Sequence, residues 1–254
     1  MDNNPQEQFP YPRYVWRRRF YQKLSALLFN ILSDFTIIGA ENFPQTGPLI
    51  VVANHFHFAD PVAVLRVAPW PLEFLGGFHM PGAPPAITWI PKLWGFYPVH
   101  RGAVSRTAFR ATQAVMAQNG IMGIFPEAGS WATVLRPARP GTALLAVQTG
   151  APILPIGLDG MPQVFDLFSQ HRRPKITVRI GKPFGPFAVS GKGKAKREEL
   201  NAISEEIMRQ IAALLPPEQH GVFSSDPVLR EAAQAVAAYP YHELYKEGDE
   251  RLGD

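Results

Sequence analysis

The sequence predicts an α/β fold: a central, largely parallel sheet flanked by helices, with an amphipathic helix ahead of it. Three observations predict it. Short apolar, β-branched runs recur along the chain, stretches of helical periodicity separate them, and Pro and Gly mark the joints between the two. With 254 residues, 46% of them apolar, there is material for one sizeable core. No Ser/Gly-rich linker or internal repeat divides the chain. The expected organisation is a tail and amphipathic helix over 1–34, one domain over 35–218, and a C-terminal extension over 219–254.

Taken in order, the first ten residues, MDNNPQEQFP, are acidic and polar and carry no signal-peptide pattern. Residues 14–33 follow as a helix, because Phe20, Leu24, Leu27, Leu28, Ile31 and Leu32 share one face at i, i+3/i+4 spacing. Its first turns carry Arg17, Arg18, Arg19 and Lys23 among Tyr11, Tyr14, Trp16 and Tyr21. Cations mixed with interfacial aromatics suit a helix lying in the head-group plane; a surface helix docking its Leu face on the core is the plainer alternative. No stretch reaches the roughly 20 apolar residues of a membrane span. Strands are expected over 49–53, 95–99, 121–125, 153–158 and 176–180, and helices over 61–67, 103–118, 141–148 and 196–215. The Pro-rich stretch 81–92 is given no element, residues 226–239 form a last helix, and the end is frayed.

Composition excludes several kinds of chemistry. With no Cys there is no disulfide framework, thiol nucleophile or Cys-ligated zinc. The net charge of +4 is gathered in clusters such as Lys192, Lys194, Lys196 and Arg197. Such clusters suit anionic head groups, an acidic carrier protein, or only a solvated turn. No helix-turn-helix, RRM or KH pattern points to nucleic acid, and no Gly-x-Ser-x-Gly elbow points to a serine hydrolase.

The sharpest local feature is Ala-Asn-His-Phe-His-Phe-Ala-Asp-Pro at 53–61. His55 follows a buried-looking strand and Asp60 opens the next helix. A loop of this length can fold back so that the carboxylate accepts a hydrogen bond from the imidazole, fixing its tautomer and steadying the imidazolium. That is the base and orienter of a serine triad, with a substrate hydroxyl in place of the serine. His57, two residues on in a loop with one Asp, makes too thin a metal site, so no metal is expected.

Three later segments each end or form a strand: Gly95 to Gly102 with Arg101, Ile124 to Ser130 with Glu127, and Ala151 to Gly157 with two prolines. In this order, the four segments resemble the glycerolipid acyltransferase family, which includes the lysophosphatidic acid and glycerol-3-phosphate acyltransferases. The resemblance spans about residues 35–215. The family pattern runs Asn-His-x4-Asp, an Arg-containing block, Phe-Pro-Glu-Gly-Thr-Arg-Ser, then a Pro-bearing strand. It implies His55 and Asp60 as the catalytic pair, with Asn54, Arg101, Glu127, Ala128, Gly129 and Ser130 at the substrate. Ser130, however, stands where the family has Arg, and it cannot replace a forked, permanently charged phosphate clamp. Either Arg101 with Arg136 or Arg139 supplies that charge, or the acceptor is not a phosphate monoester.

The resemblance further implies acyl-CoA or acyl-carrier protein as the donor, a lysolipid as the acceptor, and no cofactor. With helix 14–33 it implies a peripheral protein on the cytoplasmic face of the cell membrane.

Overall fold

The structure, a computed structural model, describes residues 5–76, 93–98 and 106–238. The segment 81–92, Arg101 and the expected frayed end lie outside these residues. A short helix α1 (Pro5–Gln8) and the long α2 (Val15–Leu32) lead into β1 (Asp34–Ile38), β2 (Leu49–Ala53), α3 (Asp60–Val67), β3 (Glu73–Gly76) and β4 (Tyr97–Pro98). Then come α4 (Arg106–Ala117), β5 (Ile121–Ile124), α5 (Gly141–Thr149), β6 (Ile153–Asp159), α6 (Val164–Ser169), β7 (Lys175–Ile180), α7 (Lys194–Ala212) and α8 (Pro227–Ala237).

Among the described residues the sheet has seven strands in the order β1-β7-β6-β2-β5-β3-β4. Every neighbouring pair is parallel except β6 with β7. The expected α/β architecture is therefore the observed one. β2 lies in the middle, and all five of its residues are buried. Ile50 and Val52 join Ala111 and Val115 of α4, Ala146 of α5 and Ile207 of α7 in one core. Leu49, Val51 and Ala53 point the other way, to Ala63 and Val64 of α3, Val164 of α6 and Ile176 of β7. A strand covered on both faces reads as an unbroken apolar run rather than an alternation, and burying each such side chain contributes about 1.5–3 kcal/mol.

Four elements had no assignment from sequence alone, the short α1 among them. β1 is an edge strand, mostly exposed, that pairs with β7 and starts two residues after α2 ends. β3 opens on a charged residue, Glu73, and α6 spans six residues.

α2 is a helix of inverted polarity. Its buried residues are Arg18 and Ser25, while Trp16, Phe20, Leu24, Leu27, Leu28, Ile31 and Leu32 are exposed. The Leu face is thus not docked on the core. The inward face carries the partly buried Tyr21 and Phe29 beside polar groups: Arg18 donates to both oxygens of Glu73 and to the carbonyl of Trp94, and Gln22 donates to the carbonyls of Ala68 and Trp70. Among the described residues no helix is long and apolar enough to cross a membrane.

Candidate active site

Strand register brings the candidate residues together. β2 and β5 pair with Val52 opposite Ile124, so His55 and Glu127, each three residues further on, leave the sheet side by side. On the other flank Ala53 lies opposite Ile156 of β6, and Asn54 staples that edge. It is fully buried; its amide donates to the Leu158 carbonyl at 2.9 Å and accepts from the Leu158 N–H at 2.7 Å. The site thus sits at the carboxyl ends of the central parallel strands, where α/β sheets gather their ligands.

The loop after β2 folds back as its length allows. Asp60, fully buried at the start of α3, lies 3.0 Å from Nδ1 of His55 through Oδ2. The same oxygen accepts the backbone N–H groups of Phe56 at 2.7 Å and His57 at 2.8 Å. A carboxylate only accepts, so Nδ1 carries the proton and the lone pair lies on Nε2. The imidazole is stacked on Phe125, with ring centres 4.3 Å apart, and Phe125 is stacked on Phe74 at 6.0 Å. Sequence reasoning missed this stack, because only register puts strands β3 and β5 beside the loop. Gly123 makes room for it: a Cβ there would come within 2.6 Å of the Phe74 ring.

Glu127 and Arg136 lie behind the loop, both about 1% exposed. Glu127 accepts the backbone N–H of His55 at 2.8 Å, and its other oxygen accepts from the N–H and Nε of Arg136 at 3.1 and 3.0 Å. Arg136 also donates to the carbonyls of His55, at 3.1 Å, and of Gly129. Burial pushes the Glu127 carboxyl up to about 7 against the pull of Arg136, and burial likewise lowers the Arg136 guanidinium. Burial also holds His57 below its usual value.

The turn joining these groups is tight. Ala128 takes φ +63°, in the left-handed region that favours glycine, and Gly is what the family pattern has at that place. Gly129 is buried, Ser130 half-buried and Arg139 exposed. Of the residues expected at the substrate, Asn54, Glu127 and Arg136 are bonded within the protein, whereas Ser130 and Arg139 reach the surface. Arg101 lies outside the described residues.

A mainly parallel sheet thus carries a His–Asp pair at the end of its central strand. The family model described as Acyltransferase matches residues 34–159, and over that span the chain belongs to the acyltransferase family. Among solved structures the chain is similar to PlsC, the 1-acyl-sn-glycerophosphate (LPA) acyltransferase of Thermotoga maritima, with a TM-score of 0.55 and 20% identity. The match covers 92% of this chain and 86% of that one, a likeness of fold. No curated protein sequence matches the chain significantly.

Proposed function

We propose that this acyltransferase moves a fatty acyl group from a thioester donor, acyl-CoA or acyl-carrier protein, to a hydroxyl of a lysophospholipid-like acceptor. The acceptor we favour is 1-acylglycerol-3-phosphate, in phospholipid biosynthesis. One observation carries the reading: the 3.0 Å contact between His55 Nδ1 and Asp60, which leaves Nε2 as the basic nitrogen of an imidazole that is 12% exposed.

The acceptor hydroxyl gives its proton to Nε2 as its oxygen attacks the thioester carbonyl. The tetrahedral intermediate collapses with cleavage of the C–S bond, and the imidazolium returns the proton to the departing thiolate. Asp60 steadies the imidazolium between the two steps. His55→Ala should lower kcat by about 10³-fold, within the range general-base catalysis supplies, and Asp60→Asn should cost less. The test is a mass-spectrometric acceptor screen with one acyl-CoA and one acyl-carrier donor, run beside His55→Ala. A His55→Ala variant as active as the parent would overturn the mechanism.

The exposed face of α2 supports a peripheral position on the cytoplasmic face of the membrane, where a lysolipid is delivered and a diacyl product returned. A second reading has its own observation. Ser130 replaces the expected arginine and Arg136 is enclosed, which favours an acceptor without a phosphate monoester unless Arg101 and Arg139 meet the charge. The screen decides between them by including a neutral monoacylglycerol.

A further inference from the structure

We propose that Glu127 and Arg136 are positioning residues that grip the peptide of His55 from both ends, and do not bind the acceptor. The inference rests on His55 being the base of the reaction above.

Three neighbouring observations carry it. First, the His55 peptide groups have partners outside their own loop. Its N–H goes to Glu127 Oε1 at 2.8 Å, and its carbonyl receives Arg136 Nη2 at 3.1 Å. Second, the two holders are tied to each other through Glu127 Oε2 and Arg136 Nε at 3.0 Å, and Arg136 also holds the Gly129 carbonyl. The four groups make one connected unit of carboxylate, guanidinium and two backbone segments. Third, the guanidinium is packed from the side: its carbon lies 3.7 Å from the centre of the Trp131 ring, and Trp131 donates to the Val236 carbonyl of α8 at 2.9 Å.

Enclosure decides between clamp and binding site. Arg136 is 1% exposed and its Nε and Nη2 serve three acceptors inside the protein; its Nη1 is buried too, with no hydrogen-bond partner among the described residues, so no nitrogen of the guanidinium reaches water. A buried ion pair is weak evidence of stabilisation, since desolvation offsets much of its attraction. Its value here is geometric. Asp60 fixes the ring of His55 through Nδ1, while the clamp fixes the backbone from which that ring projects. Displacing a reacting group by about 1 Å can cost about 10²-fold in rate.

The test uses the full-length chain, with Arg136→Lys and Glu127→Gln. A lysine keeps the charge but cannot fork to Glu127, His55 and Gly129 together. Glutamine keeps an oxygen for the His55 N–H but removes the negative charge that faces Arg136 and sets an amide NH2 against its donors. We expect kcat to fall about 10²-fold in each, with KM for the acceptor within about twofold. In ¹⁵N-histidine NMR spectra we expect the His55 Nδ1–H signal to move or broaden. A raised KM at unchanged kcat would place Arg136 at the acceptor and overturn the proposal, as would an unmoved His55 signal. Should Arg136→Lys not fold, Glu127→Gln is read by the same criteria. If neither variant folds, the pair is structural and the proposal fails. If the parent chain acylates no acceptor, the functional reading fails alone, because the NMR comparison still reports the clamp.

Discussion

Arg18 of α2 and Glu73 of β3, 55 positions apart in sequence, form an ion pair in which both side chains are fully buried, Nη2 lying 2.7 Å from Oε2. Arg13 adds a second guanidinium to the same carboxylate, its Nε 3.0 Å from Oε2. Glu73 is therefore the anchor that holds the N-terminal helix to the sheet. Its neighbour Phe74 is the outer ring of the stack that ends on His55.

Removing the carboxylate while leaving the cations should be severe. Glu73→Ala strands a buried guanidinium, which costs about 3–5 kcal/mol. Urea unfolding followed by circular dichroism should show a lowered midpoint of that size. A double substitution of Arg18 and Glu73 to Met and Leu should cost less, because the fully buried guanidinium goes with its carboxylate and only the partly exposed Arg13 loses its partner.

The inward Arg18 has an outward consequence: the apolar stripe of α2 faces away from the protein. Leu27→Ser together with Ile31→Ser should weaken sedimentation with anionic liposomes by about tenfold or more, the equivalent of about 1.4 kcal/mol. Folding should be unaffected, since neither side chain is buried in the core. Binding equal to the parent's would exclude this face as the membrane contact.

Glu127 gives a pH dependence with a definite sign. Its carboxyl is raised from about 4.5 to about 7 by burial, so between those values the folded chain holds a proton that the unfolded chain has released. That difference makes stability fall as pH rises from about 4.5 to about 7, and level off above it. Thermal unfolding scans from pH 5 to 8 should show the decline. In Glu127→Gln, which does not titrate, this part of the slope should vanish.

Ala128 sits at φ +63°, where a Cβ is strained. Ala128→Gly relieves that strain but adds freedom to the unfolded chain, so the net gain should be about 1 kcal/mol or less. For a chain of this length that is a Tm increase of about 1–4 °C by calorimetry. A lowered Tm would mean that the methyl group makes packing contacts worth more than the backbone strain.

The fold was legible where sequence periodicity follows burial. The run Leu-Ile-Val-Val-Ala, short and β-branched, reads as a buried strand, because a strand covered on both faces shows an unbroken apolar run. β1 escaped notice for the opposite reason: an exposed edge strand has little burial to leave a pattern. Helix α2 was found from its periodicity, yet which side its apolar face would take was open. A helix alone cannot show that one arginine will be buried against a carboxylate 55 residues away.

The same division holds at the site. The sequence by itself put His55 and Asp60 forward as a pair, since one short loop and a helix start join them and local geometry suffices to bring them together. It also carried the Glu127 block and the replacement of the expected arginine by Ser130. What Glu127, Arg136 and Asn54 do was decided only by tertiary structure. Parallel strand register sets β5 and β6 on either side of β2, and burial then turns these polar side chains onto the backbone of the neighbouring segments. A buried polar group must find a partner inside the protein, and that partner is fixed by neighbours in space, which spacing along the chain does not specify.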